Sequence, residues 1–99
     1  MTKEEFTKSV ENGISILSFY ATWCQPCKML AKTLETFKEK HPELNVLHLD
    51  VEENDELAVE FQVSSVPVTF FVVDGALKER VVGNVPEKKL EQVLESLQS

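Results

Sequence analysis

At 99 residues with 42% hydrophobic side chains, the chain holds enough apolar material for one core and too little for a second domain of ordinary size, so residues 1–99 are expected to form one domain. Ten basic against 17 acidic side chains leave a formal net charge of -7, which repels nucleic acid and anionic membrane surfaces and argues against both as partners. The opening Met1-Thr2-Lys3-Glu4-Glu5-Phe6 lacks the basic and apolar regions of a secretory signal. The longest apolar run, Val66 to Val73, is interrupted by Pro67 and Thr69 and falls far short of the ~20 residues that span a bilayer. A soluble, cytoplasmic protein is expected.

Thr2 with Glu5 three residues later has the form of a capping box. Phe6 and Val10 then repeat at helical spacing until Asn12-Gly13, which predicts a first helix over about Lys3 to Glu11. Ile14 to Tyr20 is short, rich in β-branched and aromatic residues and apolar on both faces, the pattern of a central strand covered on both sides. Beyond it, Cys27, Leu30, Leu34 and Phe37 make a helical stripe that stops before Pro42. Leu44 to Asp50 reads as a second strand, and Asn54 is placed to cap a helix from about Asp55 to Phe61. Val68 to Val73 and Lys78 to Val82 flank Asp74-Gly75, which predicts an antiparallel hairpin with a linker longer than two residues. Asn84 and Glu87 bracket Pro86 as a helix start, and Leu90, Val93, Leu94 and Leu97 stripe the last helix. The order predicts an α/β sandwich, a mixed sheet with helices on both faces.

The only cysteines, Cys24 and Cys27, stand three apart. A bridge between them closes a very short loop and removes little entropy from the unfolded chain, so in a cytosolic protein the spacing points to catalysis or metal instead of scaffolding. The run Trp23-Cys24-Gln25-Pro26-Cys27-Lys28 lies where a buried strand turns into a helix. Cys24 then falls at the helix N-terminus, where free N–H groups and the positive end of the dipole stabilise a thiolate, the species that attacks a disulfide. Cys27, one turn on and facing the core, is placed to attack the mixed disulfide that results. Cys24 is thus the expected nucleophile and Cys27 the resolving thiol. Pro26 fits the first helical turn without losing a needed N–H.

These residues closely resemble the thioredoxin family. Ala21-Thr22-Trp23-Cys24 with Pro26-Cys27-Lys28 is similar to its active-site run, with Gln25 where glycine is usual; Val66-Pro67 matches its cis-proline loop, Gly83 the glycine beside its substrate groove, and Asp74-Gly75 its hairpin. The resemblance covers nearly the whole chain. It implies a thioredoxin-like three-layer sandwich and a protein-disulfide reductase. It further implies a cis Pro67 and a groove framed by Trp23, Val66, Pro67 and Gly83, in which the Val66 backbone pairs with the substrate as an extra strand. The partners it implies are disulfide-containing proteins and an NADPH-dependent flavoprotein reductase, with no cofactor held by this chain, which is expected to be a monomer. Ser18 stands where the family carries a buried Asp that moves the resolving cysteine's proton, and His48 where it carries that Asp's lysine partner. Proton handling then falls to water or His48, or resolution is slower. Gln25 is expected to shift the redox poise. The short N-terminus implies about four strands instead of five.

Other readings are weaker. Cys24 and Cys27 with His41 and His48 give C-x2-C-x13-H-x6-H, whose second interval is too long for a zinc finger; His41 reads as an exposed helix-end residue and His48 as a strand residue beside the core. Pro67 could merely open a strand, and Gly83 could be a plain bend. Glu52, Glu53, Asp55 and Glu56 read as a solvated face at a helix start. Trp23 and Gln25 count against a glutaredoxin-like activity. The lack of a targeting signal counts against an oxidase or isomerase, and retention of both cysteines against a pure binding module.

Overall fold

The computed structural model describes residues 1–99. Eight elements follow one another: α1 (Lys3–Val10), β1 (Ile14–Tyr20), α2 (Gln25–Lys40), β2 (Asn45–Asp50), α3 (Asp55–Glu60), β3 (Val68–Val73), β4 (Ala76–Val82) and α4 (Glu87–Gln98). The strands form one sheet in the order β2-β1-β3-β4. β1 runs parallel to β2 and antiparallel to β3, and β3 antiparallel to β4.

The apolar run of β1 is explained by its central place: from Ser15 to Phe19 no residue is more than 4% exposed. Side chains alternate across the pleat. Leu17 and Phe19, with Val68, Phe70 and Val72, meet Phe6 and Val10 of α1 and Leu57 and Ala58 of α3. Ile16, with Phe71 and Val81, meets Leu30, Leu34 and Phe37 of α2 and Leu90, Val93 and Leu94 of α4. The result is the three-layer sandwich with a four-stranded mixed sheet that the element order implies. On the α1 side Phe61 sits among three rings, 5.6 Å from Phe6, 5.8 Å from Phe19 and 5.1 Å from Phe70 between centroids, distances suited to edge-on aromatic packing.

Local chemistry sets the element ends. The capping box at α1 is complete: the Glu5 N–H donates to Thr2 Oγ1 at 3.1 Å and the Thr2 N–H to Glu5 Oε1 at 2.8 Å. The β3–β4 hairpin corrects the expected longer linker, because Asp74 and Gly75 alone join the strands. Both have positive φ, 49° and 84°, which is the backbone a tight two-residue hairpin needs and glycine tolerates. Asp74 is held there by the α1–β1 turn, accepting from the Gly13 N–H at 2.8 Å and donating its own N–H to Gly13 O at 2.9 Å. Asn54 occupies the cap position of α3 but does not cap it with its side chain, whose amide donates instead to Asp50 O at 3.1 Å. Pro86 is the N-cap of α4, one residue before the helix proper.

His41 also departs from expectation. It is the C-cap of α2 and half-buried, with Nε2 2.8 Å from Glu91 Oε1 and its ring 4.8 Å from that of Phe37. With the Lys40–Glu87 pair at 2.5 Å it fastens the end of α2 to α4. That end is about 21 Å from Cys27 along the helix axis, so His41 and the cysteines cannot share a metal ion. No helix is long and apolar enough to cross a membrane.

Phe37 is fully buried where α2 packs on the sheet and α4. Phe37→Ala should therefore lower unfolding stability by about 3–5 kcal/mol, read from the urea midpoint at unchanged m-value.

Candidate active site

The passage from β1 to α2 places the sulfur chemistry. The chain leaves the sheet after Tyr20 and turns through Ala21-Thr22-Trp23, where the Cys24 N–H donates to Ala21 O at 3.2 Å. Cys24 is the N-cap of α2, extended at φ -93° and ψ 109°, and its Sγ accepts the N–H of Cys27 at 3.2 Å. Sulfur thus takes the capping place usually filled by a hydroxyl or carboxylate oxygen. Pro26 lies in the first turn, where its missing N–H costs nothing. The cysteines are joined as a disulfide with Cα atoms 5.3 Å apart, within the ordinary range for such a bridge.

The electrostatics of this helix start are distinctive within the chain. α1, α3 and α4 each carry acidic residues in the first turn: Glu4 and Glu5, Asp55 and Glu56, and Glu87. α2 carries none, although the chain's formal net charge is -7. The positive end of its dipole is left unneutralised at Cys24, the arrangement that lowers a thiol's pKa.

Exposure does not separate the two cysteines, at 4% and 5%; their surroundings do. Cys24 Sγ lies 3.9 Å from the carbonyl oxygen of Val66, in the loop where the Val66–Pro67 peptide bond is cis. No other backbone group pairs with the N–H or the C=O of Val66, whose carbonyl has Cys24 Sγ as its neighbour. Gly83 belongs to the same corner: its N–H donates to Pro67 O at 2.9 Å, and its φ of 92° is a conformation side chains disfavour. Trp23 stands out at 72% exposed, with Gln25 and Pro26 also on the surface.

Two surface residues of this region escape the sequence reading. Met29 is 61% exposed and its Sδ lies 3.9 Å from the Asn84 amide, while Val82, 57% exposed, pairs in register with Val68 beside Pro67. A signal existed for Met29, an apolar residue off the Cys27-Leu30-Leu34-Phe37 stripe. Val82 had one too, as the second apolar residue in a row on a strand whose neighbour Val81 is buried.

Ser18 and His48 fall elsewhere. They are register partners on β1 and β2, and His48 lines a cleft of about 620 Å³ between α2 and β2 that Cys27 also lines and that includes neither Trp23, Cys24, Val66 nor Gly83. Ser18 is buried, while His48, at the edge strand, is exposed and not enclosed beside the core. Although its surface is largely open, the cleft wall desolvates the His48 imidazole in part and holds it below the usual histidine value of 6.5.

A thioredoxin family model matches residues 1–96. Thioredoxins of Staphylococcus saprophyticus and Staphylococcus aureus are each 38% identical over 96 residues, covering 96% of this chain and 92% of theirs. Among solved structures, a mutant thioredoxin from Halobacterium salinarum superposes with a TM-score of 0.88 at 35% identity, covering 97% of this chain and 85% of the other. Mitochondrial thioredoxin 3 from Saccharomyces cerevisiae, in its oxidized form, gives 0.85 at 30% identity, covering 94% and 88%. Likeness of this extent, running unbroken through the cysteine-bearing junction, means that the chain belongs to the thioredoxin family of thiol-disulfide oxidoreductases, whose members work between disulfide substrates and a reductase.

Proposed function

We propose that residues 1–99 act as one thioredoxin domain, a monomeric cytosolic reductase of protein disulfides in which Cys24 is the nucleophile and Cys27 the resolving thiol. The observation that carries this reading is the seat of Cys24: helix cap, acid-free first turn, and a sulfur 3.9 Å from the Val66 carbonyl. The Cys24 thiolate attacks one sulfur of the substrate disulfide, whose other sulfur leaves as a thiolate and takes a proton. Cys27 loses its proton and attacks Cys24 Sγ, which closes the intramolecular bridge and expels the second substrate sulfur. The substrate gains two electrons and two protons, and this chain ends as the disulfide.

The N–H and C=O of Val66, paired with no other backbone group, offer an extended substrate segment two backbone hydrogen bonds, so the segment can dock as a short added strand. Trp23, Pro67 and Gly83 frame that strand, with Met29 and Val82 as apolar contacts at its margin. Gln25, inside the two-cysteine ring, tunes the redox poise. Reducing equivalents come from an NADPH-dependent flavoprotein reductase that holds the cofactor.

Insulin reduction coupled to NADPH through a thioredoxin reductase, run beside glutathione with its own reductase, tests the assignment. Turnover with the thioredoxin reductase alone is expected; turnover with glutathione alone would move the chain to a glutaredoxin-type activity. Cys24→Ser should abolish turnover, whereas Cys27→Ser should accumulate a mixed disulfide visible by mass spectrometry. Accumulation in the Cys24→Ser protein instead would reverse the two roles. Trp23→Ala should raise KM for a protein disulfide by roughly tenfold, about 1.4 kcal/mol of contact, while a small disulfide reagent reacts at the parental rate.

A further inference from the structure

The two edges of the sheet are finished differently. β4 carries Lys78, Glu79 and Arg80 in a row, and its pairing with β3 shifts register between Phe71 and Val72; charge and irregularity both discourage another strand from adding there. β2, at the other edge, has neither device. From Asn45 to Leu49 it holds no lysine, no carboxylate, no proline and no break in register. In a parallel pair, alternate residues of a strand turn both backbone groups to the neighbour. The Val51 N–H donates to Tyr20 O at 2.9 Å, which in the register of Ser18 with His48 gives that role to Asn45, Leu47 and Leu49. The N–H and C=O of Val46 and His48 therefore point away from the sheet.

The side chains of Val46 and His48 line the α2–β2 cleft, so the open edge and the cleft are parts of one groove. Its α2 wall offers Ala31 and Leu34 as apolar surface, with Glu35 and Glu39 beside them, both exposed and in no ion pair. These carboxylates stand about 6 Å apart along the helix axis, close to the ~6.8 Å between successive side chains on one face of a strand. Of the cleft's cations, Lys38 is committed to the carbonyls of Pro42 and Leu44, and Lys28 lies about 10 Å along the axis from Glu35.

We propose that this groove receives an extended segment of a partner protein as an added strand on β2, with apolar side chains over Ala31, Leu34 and Val46 and two lysines or arginines, two residues apart, against Glu35 and Glu39. Backbone pairing with Val46 and His48 supplies affinity, and the alternate side chains supply selection. The formal charge of -7 attracts a cationic segment from beyond the groove. It repels a second copy of this chain, which would also set its own Glu35 and Glu39 beside these. The groove adjoins the redox pair only at Cys27, and Trp23, Cys24, Val66 and Gly83 lie outside it.

The probe is the acetylated and amidated peptide Thr-Leu-Val-Lys-Thr-Lys-Val-Leu-Thr, which puts its leucines and lysines on one face. Its pattern reads the same in both directions, so parallel and antiparallel addition are tested together. Titrated into isotope-labelled protein and followed by NMR, it should shift the amides of β2 and of the α2 stretch from Ala31 to Glu39, and slow hydrogen exchange at the Val46 and His48 N–H groups. Glu35→Lys combined with Glu39→Lys should weaken binding roughly tenfold and favour the same peptide with glutamate in place of lysine. His48→Pro removes an outward N–H that β1 does not use and should weaken binding by about tenfold. A thermal melt identifies any folding defect in that variant, and the charge exchange decides the question without it. The absence of shifts up to about 1 mM peptide would overturn the proposal, as would equal binding of the lysine and glutamate peptides to the parental protein. Shifts confined to Trp23, Val66 and Gly83 would also overturn it, by placing the peptide at the cysteine corner. So would sedimentation showing a dimer that the peptide dissociates, since the occupant would then be a second copy.

Discussion

The N–H of Cys27 donates to Cys24 Sγ at 3.2 Å, and this contact joins the architecture of the chain to its chemistry. It caps α2, so the helix begins at Gln25 and its stripe of Leu30, Leu34 and Phe37 falls against the sheet in register with Ile16 and Phe71. It also fixes the Cys24 sulfur among the free N–H groups of a helix start, where negative charge is welcome. A capping oxygen would serve the helix equally well and do no redox chemistry. Sulfur serves both ends because a thiolate is a hydrogen-bond acceptor and a nucleophile at once.

From that junction the two cysteines, nearly buried in one small cluster with Ala21, differ in what lies beside them. Cys24 faces Val66 and the cis-proline corner, which Gly83 ties down through Pro67, so the surroundings of its sulfur are assembled from the starts of α2 and β3 and the end of β4. Cys27 lines the α2–β2 cleft, which none of Trp23, Cys24, Val66 and Gly83 reaches. The division depends on β1, whose alternate residues serve different layers: Leu17 and Phe19 hold α1 and α3, while Ile16 and Ser18 lie beneath α2.

Much of this was legible in the sequence because hydrophobic period and punctuation agreed. The stripe from Cys27 to Phe37, the capping box at Thr2 and the β-branched and aromatic run of β1 each carry a local signal with one structural solution, while the cis bond at Val66-Pro67 followed from the family resemblance. The errors have other causes, and those at the hairpin and at His41 each concerned a partner distant in sequence. Asp74-Gly75 is the whole hairpin linker because Gly13 grips Asp74 from 61 residues away, a bond no turn propensity contains. His41 is drawn inward by Glu91, and Asn54 gives its amide to the Asp50 carbonyl in preference to the helix it precedes. Met29 and Val82 were readable as apolar residues out of pattern. Their place at the margin of the cysteine site became evident only once α2 and β4 were brought to the same end of the sheet.

The chain's acidity and its need for a thiolate are reconciled by distance. A formal charge of -7 opposes any added negative charge, yet at physiological ionic strength exposed charges more than about 8 Å apart are largely screened from one another. Within α2 the first carboxylate is Glu35, some 16 Å along the axis from Cys24, and Lys28 lies between them. The dipole and the free N–H groups act within the first turn, inside the screening length. Local charge therefore governs Cys24 while net charge governs solubility and the choice of partners. Had the acids that open α1, α3 and α4 been repeated at α2, the carboxylate would have taken the place of the thiolate at the helix end, and the same fold would have held a far less reactive cysteine.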